Sequence, residues 1–178
     1  MEIVLVLLLA QSLLGAFDTW VIHEWRERLP RRPVARREVG LHALREVLYA
    51  VIFIGLAGWQ WWGLWAWVLA TVLLVEVVIT ALDFIEEDRI RVLSPLERVT
   101  HLLLAILYGA LLARLAEVLW TWQALPTELV ASDMGLLSGI IALFGLGVLL
   151  QSLRSAHAWW RLGSSAPALT RPQSMHRL

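Results

Sequence analysis

The chain has 178 residues, of which 59% are hydrophobic, and its 15 basic residues balance 15 acidic ones. Because a soluble domain is usually about half apolar, this composition favours an integral membrane protein. The zero net charge gives no support to a nucleic-acid partner, and the absence of cysteine excludes disulfides, thiolate metal sites and cysteine nucleophiles.

Five apolar stretches follow one another along the chain, and each is long enough to cross a bilayer as a helix. They cover residues 3–22, 34–58, 64–85, 95–120 and 134–153. We therefore predict an all-α integral membrane fold, with a single helical domain over residues 1–161. The remaining residues, 162–178, are rich in serine, proline and arginine, which predicts a disordered cytoplasmic tail.

The placement of arginine predicts the orientation of this fold. Most arginines lie in residues 26–37, in residues 86–94 and in the C-terminal segment, which five spans put on one side of the membrane. The positive-inside rule makes that side cytoplasmic and places the N-terminus outside, in a plasma membrane of the bacterial type. Tryptophans crowd residues 59–67 and recur at Trp120 and Trp122, as is typical of the opposite membrane interface.

An internal repeat underlies the first four spans. Glu38 and His42 form a Glu-x-x-x-His motif at the start of the second span, and Glu97 and His101 repeat it 59 residues later, at the start of the fourth. The two copies cover residues 15–57 and 74–116. We interpret them as a duplicated helical hairpin. Two such hairpins predict a four-helix bundle, with the fifth helix added to it.

The polar residues inside the predicted spans are candidate ligands, because such residues are costly in a membrane and usually mark a site or pathway. A spacing of four places Glu and His one turn apart on one helix face. Packing the four helices together is expected to gather six groups: Glu24, Glu38, His42, Asp83, Glu97 and His101. Carboxylates with imidazoles suit Fe, Mn or Zn better than Ca or Mg, and four negative charges balance two divalent cations.

This pattern resembles the ferritin-like di-iron and di-manganese carboxylate proteins. Those proteins contribute one carboxylate from each of two helices and a Glu-x-x-His pair from each of two others. Here Glu24 and Asp83 match the single carboxylates, whereas the paired motifs carry one more residue between Glu and His. The resemblance implies two Fe or Mn ions and an oxidoreductase. Within it, Tyr49 and Tyr108, seven residues beyond the motif histidines, are catalytic donors or electron relays; the alternative is that they fill the core.

Further polar residues are alternative ligands or supporting groups for this site. They are Asp18, His23, Arg45, Glu46 and Glu76. Asp18 and Glu76 are alternatives for the positions of the single carboxylates. Arg45 is expected to pair with one of these two or with Glu46.

Two local patterns have simpler explanations. Ser94 and Glu97 fit a capping box at the start of the fourth helix, which would account for Glu97 without any metal. Residues 86–88 are interpreted as a solvated acidic loop near Arg89 and Arg91.

Three functions remain open at this point. The first is an oxidoreductase with a di-metal centre, which acts on a lipophilic substrate, a quinol or dioxygen and takes electrons from a quinol or a donor protein. The second is a proton- or cation-conducting transporter or relay subunit that uses buried Asp, Glu and His. The third is a haem b carrier with His42 and His101 as axial ligands. The lipid bilayer is the expected surrounding in each case, and an oligomer is compatible with all three.

Overall fold

Five long helices make up most of the chain in the computed structural model, which describes residues 1–132 and 135–164. They are α1 (Glu2–Phe17), α2 (Arg36–Gly58), α3 (Leu64–Ile90), α4 (Pro95–Trp122) and α5 (Leu136–Ser164). A π-helical segment, Asp18–Arg26, continues α1 without a break, and two short 3-10 helices, Leu29–Arg31 and Pro33–Ala35, lead into α2. All five helical stretches are long and apolar enough to cross a membrane. The prediction of five such helices is confirmed.

Two of the helices extend further than hydropathy predicts. α3 ends at Ile90 rather than at residue 85, because Glu86 and Glu87 are buried in the helix instead of lying in a solvated loop. α5 continues to Ser164, because Leu162 packs with Leu29 in a small apolar cluster beside the start of α2. The first three residues of the predicted tail are therefore helical, and residues 165–178 lie outside the described part of the chain.

The repeat does not fold as two self-contained hairpins. α1 packs chiefly on α4, and α2 packs on α3, so the main contacts within the repeat run between the two copies. α5 packs most extensively along α2 and also touches α1. The fifth helix is thus part of the bundle rather than an addition to its outside, and the buried leucines of α1, α3 and α4 complete the same apolar core.

A two-stranded ladder joins the helix connections at one end of the bundle. β1 (Trp59–Trp61) links α2 to α3, and β2 (Leu129–Ala131) links α4 to α5; they pair antiparallel, with Gln60 opposite Val130. The sequence predicted connections here but not their pairing. Gly63 lies directly before α3 at φ +58°, and a Cβ there would lie 2.5 Å from the Thr127 hydroxyl. Only glycine allows this approach, through which Thr127 accepts a hydrogen bond from the first amide of α3.

Close packing between α2 and α5 leads to a first prediction. A Cβ on Gly145 would lie 2.7 Å from Ile54 Cγ1 and 3.1 Å from Phe53 Cβ, whereas a Cβ on Gly147 would meet nothing within 4 Å. We expect Gly145→Ala to lower the free energy of unfolding by about 1–3 kcal/mol, since overpacking forces the two helices apart. Gly147→Ala is the matched control, and it should leave the unfolding temperature in detergent unchanged or raise it. Equal unfolding temperatures for the two variants would contradict the α2–α5 packing.

Candidate metal centre

The π-helical segment brings polar side chains from the end of α1 into the bundle. Its backbone hydrogen bonds run from i to i+5, so residues five apart lie about one turn apart on the same face. Asp18 and His23 have this spacing, and Asp18 Oδ2 lies 3.6 Å from His23 Nε2. Both side chains are buried. A regular α-helix would rotate the second residue by roughly 140° from the first and turn one of them away.

Two groups of buried side chains have the composition and spacing of metal sites. The first consists of His23, Glu87, Glu97 and His101, and the second of Glu38, His42 and Glu87. Within each group, one ligand atom from every residue lies within 4.8 Å of the others. Glu87 belongs to both groups, so the two candidate sites are adjacent and share one carboxylate.

The Glu87 carboxylate faces both groups at once. Its Oε2 lies 3.4 Å from His101 Nδ1, and its Oε1 lies 4.0 Å from His42 Nε2. The side chain is only 1% exposed, and neither oxygen has a hydrogen-bond partner within the described residues. A buried carboxylate without such partners is costly. Its Oε1 also lies 3.6 Å from Arg91 Nη2, so the carboxylate stands between both ligand groups and one guanidinium.

Each motif histidine also faces an aspartate from the other copy of the repeat. His42 Nε2 lies 3.1 Å from Asp83 Oδ2, and His101 Nε2 lies 3.4 Å from Asp18 Oδ2. A carboxylate on the second ring nitrogen fixes the orientation of a metal-binding histidine and raises its basicity. His101 has this arrangement, with Asp18 on Nε2 and Glu87 on Nδ1, whereas Asp83 and Glu87 face the same nitrogen of His42.

Two arginines neutralise part of the negative charge. The Arg91 guanidinium donates to Glu38 at 2.7 Å and, through both terminal nitrogens, to Glu97 at 2.7 and 2.8 Å. Burial opposes the charge of Arg91, but the hydrogen bonds to Glu97 and Glu38 hold its pKa above the ordinary value. Arg45 Nη1 donates to Asp83 Oδ2 at 2.7 Å. This partner differs from the three that the sequence suggested for Arg45, because Asp83 lies nearer to it across the α2–α3 contact.

The structure gathers most of the predicted ligands but not Glu24. Glu38, His42, Glu97 and His101 all belong to the two groups, and Asp83 joins them through His42 and Arg45. Glu24 instead accepts hydrogen bonds from Gln151 at 2.6 Å and from Arg154 at 3.0 Å on α5. Since His23 takes the inward position on the π-helical segment, the next residue necessarily points to another side.

One member of the site, Glu87, has a role that the sequence does not predict, and a second, His23, takes one of its two predicted roles. Glu87 was interpreted as part of a solvated loop, and that interpretation is wrong because the side chain is 1% exposed at the centre of both groups. The spacing of four from Asp83 was the available signal, since it places both carboxylates on one face of α3. His23, which the sequence predicts as an alternative ligand or a supporting group, lies among the ligand atoms of the first group.

The remaining predicted residues lie around the site rather than in it. Tyr49 and Tyr108 pack edge to face with ring centroids 5.7 Å apart and contribute to the apolar core. The capping box is confirmed, because the Glu97 amide donates to Ser94 Oγ and Glu97 Oε2 accepts from the Ser94 amide. Glu97 therefore caps α4 and contributes to the cluster at the same time.

Packing among the imidazoles disfavours the haem alternative. His23 stacks on His42 with centroids 4.8 Å apart and meets His101 edge-on at 5.6 Å. Phe84 stacks on the His101 ring, with the two ring centroids 5.5 Å apart. A third histidine and an aromatic ring thus occupy space that a macrocycle between His42 and His101 would need.

Comparison with known proteins found no significant match to this chain. No protein-family model matches the chain, and no curated protein or solved structure shows a significant match to it.

Proposed function

We propose that this chain is an integral membrane protein that binds two divalent transition-metal ions, iron or manganese, between its helices. The observation that carries the proposal is Glu87, a buried carboxylate that directs one oxygen toward a histidine of each ligand group. Adjacent sites with a shared carboxylate are typical of di-metal carboxylate centres in helix bundles.

The charge inside the bundle supports the binding of divalent cations. Five buried carboxylates face one another around the cluster: Asp18, Glu38, Asp83, Glu87 and Glu97. Arg45 and Arg91 offset two of these charges, and with neutral imidazoles three negative charges remain. Uncompensated charge is costly in an apolar interior. One divalent cation leaves the cluster with a net charge of −1 and two leave it with +1, so the charge balance requires at least one divalent cation.

The donor atoms support the identity of the ions. A mixture of carboxylate oxygens and imidazole nitrogens suits iron, manganese and zinc, while calcium and magnesium prefer oxygen alone. A structural zinc site is usually a closed set of four ligands around one ion. A bridging carboxylate with ligands on both sides favours the paired iron or manganese centre instead.

The reaction that we propose is an oxidation or reduction of a lipophilic substrate, a quinol or dioxygen. Bound iron or manganese would supply the one-electron chemistry. The chain itself would hold the ligands in place, with Asp18 and Asp83 beside the motif imidazoles. Because the cluster lies between apolar helices, a membrane-soluble substrate would approach from the bilayer, and electrons would come from a quinol or a donor protein.

We further propose that the cluster lies toward the cytoplasmic side. The helix ends nearest the cluster are also the ends joined by the arginine-rich connections, and such connections are retained in the cytoplasm. In this orientation the tryptophan-rich β1 and the ladder lie at the outer interface.

Elemental analysis of the detergent-purified full chain tests the metal centre. We expect about two Fe or Mn per chain in the wild type and loss of most of that metal in the double variant His42→Ala/His101→Ala. His157→Ala is the control, because His157 is an exposed histidine on α5 outside both groups. A folded wild-type protein that binds no metal after growth and reconstitution with Fe or Mn would contradict the proposal and favour proton or cation conduction. One tightly bound zinc would instead indicate a structural site.

A further inference from the structure

A cavity of about 810 Å³ opens to the surface between the 3-10 helix Leu29–Arg31 and the C-terminal half of α5. Three arginines line it: Arg31, Arg154 and Arg161. No acidic residue is among the described residues of its walls, and none of those residues belongs to either ligand group of the metal centre. A cleft lined by charges of one sign concentrates the electrostatic field and attracts ions of the other sign. The cavity is therefore a separate site that favours an anion.

The wall that carries Arg31 is fixed against α5. Leu29 and Leu162 pack together in the small apolar cluster, and Pro30 and Pro33 restrict the backbone on either side of Arg31. The Arg31 side chain is exposed and forms no ion pair within the described part of the chain. A cation on a backbone that is already ordered loses less entropy when it binds a ligand.

The opposite wall is held by Glu24, the predicted metal ligand that lies outside the metal centre. Its carboxylate accepts one hydrogen bond from Gln151 at 2.6 Å and one from Arg154 Nη2 at 3.0 Å. A guanidinium has five N–H donors, and the Arg154 side chain is 67% exposed. Glu24 thus orients Arg154 at the cavity wall and leaves it donors for a second anion, such as a phosphate.

A stripe of exposed leucines leads along α5 to this cavity. Its members are Leu143, Leu146, Leu150 and Leu153, and their spacing of three or four places them on one helix face, which Arg161 continues two turns later. Ten residues separate the first leucine from the last, which is about 15 Å of helix. That length is half of a hydrocarbon core of about 30 Å, so the stripe matches one leaflet of a bilayer.

Two exposed tryptophans mark the depth of the cavity in the membrane. Trp25 directly follows Glu24 and is 75% exposed, and Trp160 directly precedes Arg161 and is 64% exposed. Indole rings in such positions are typical of the interface, where they lie at the level of the lipid headgroups. The arginines of the cavity therefore lie at headgroup depth, at the end of a stripe that faces acyl chains.

We propose that this cavity binds an anionic phospholipid, with its phosphate on Arg31, Arg154 and Arg161 and an acyl chain along the leucine stripe of α5. Basic pockets beside membrane helices on the cytoplasmic side recognise lipid headgroups in this way. A choline or ethanolamine headgroup adds a cation beside the phosphate, which the arginines repel, so anionic lipids are preferred. The site requires insertion in a membrane and does not depend on the metal ions.

Native mass spectrometry of the full chain in detergent tests the proposal by counting bound lipids. Phosphatidylglycerol is titrated into the protein, and phosphatidylcholine with the same acyl chains is the comparison. The test variant is Arg31→Gln/Arg161→Gln. The control is Arg89→Gln/Arg98→Gln, which removes two exposed arginines at the same end of the bundle but outside the cavity.

We expect phosphatidylglycerol to bind the wild type more tightly than phosphatidylcholine does. Each arginine near the headgroup contributes about fivefold to affinity, so the test variant should bind about thirtyfold more weakly, while the control keeps the wild-type affinity. If the double variant does not fold, Arg31→Gln alone should bind about fivefold more weakly.

Three results would overturn the site. Equal weakening in the test and control variants would show attraction to surface charge in general. Equal affinity of the wild type for both lipids would remove the role of the arginines. Complete competition by millimolar inorganic phosphate would assign the cavity to a free anion instead of a lipid. None of these results depends on whether the protein holds metal, so the lipid site and the proposed function can fail separately.

Discussion

Replacing Glu87 by glutamine is expected to remove both metal ions at once, from about two per chain to near zero. An amide of the same size has one neutral oxygen and an NH₂ group, so it cannot bridge two cations. The substitution also removes one of the negative charges that attract the ions. Elemental analysis after dialysis against a weak chelator measures the loss. Substitution of a ligand that served one site alone should leave about half the metal, so the size of the effect distinguishes a shared ligand from an ordinary one.

The neighbouring residue provides the matched control for this experiment. Glu86 directly precedes Glu87 in α3 and is also mostly buried. It faces Arg37 at 3.4 Å and Arg89 at 3.7 Å, away from both ligand groups. Glu86→Gln should therefore retain the full metal content. Metal-free Glu87→Gln should remain folded, because an uncharged side chain costs less to bury than a carboxylate. Retention of both ions by Glu87→Gln would refute the shared-carboxylate centre.

Arg91→Gln is expected to have opposite effects on stability and on metal affinity. In the metal-free protein the Arg91 guanidinium is the cation between Glu38 and Glu97, and its side chain is only 10% exposed. Removing one partner of a buried ion pair costs about 3–5 kcal/mol, since the other charge stays buried without compensation. In the metal-loaded protein the ions themselves would supply that compensation. We therefore expect a large loss of stability that disappears when Mn²⁺ or Fe²⁺ is added.

Chemical unfolding in detergent, with chelator and with metal, measures this difference. Arg89→Gln is the control, because Arg89 lies two residues earlier with a side chain that is 65% exposed and should change stability by less than about 1 kcal/mol. Metal affinity should rise in Arg91→Gln, as the guanidinium no longer competes for Glu38 and Glu97. An equal loss of stability with and without metal would show that these carboxylates do not bind the ions.

The sequence contains enough information for the helices and for half of the site. Long apolar runs are decisive for helices of this length, so all five were predicted, with errors only at their ends. The duplicated Glu-x-x-x-His motif was also sufficient, because a spacing of four fixes one helix face whatever the surroundings. His42 and His101 accordingly lie in the two ligand groups, together with Glu38 and Glu97.

The spacing of the repeat did not identify Asp18 as the counterpart of Asp83 on the first span. Twenty positions separate Asp18 from Glu38, but only fourteen separate Asp83 from Glu97. The additional residues form the 3-10 helices before α2 and the π-helical segment, so an ungapped comparison matches Asp83 with Glu24 instead of Asp18. A π-helical segment depends on packing around it and leaves no periodic pattern in the sequence.

Glu87 was missed for a different physical reason. A run of acidic residues near the end of an apolar stretch is usually solvated, and for Asp88 beside it that expectation holds, since Asp88 is exposed. Glu87 is buried beside Arg91, four residues further along, and beside His42 and His101, which come from two other helices. The spacing of four from Asp83 indicates the face of α3 that carries Glu87, but only tertiary packing shows that two histidines cover that face.

The β1–β2 ladder has a consequence for the rate at which ions enter and leave. It ties two connections together at the end of the bundle remote from the cluster; seventeen residues, about 25 Å of helix, separate His42 from Trp59. The opposite end of the bundle, where Arg91 pairs with Glu38 and Glu97, is not tied in this way. The proposed ions would then exchange through that end. Metal loaded during folding should thus dissociate slowly in chelator, with a half-life far longer than the equilibrium affinity alone would suggest.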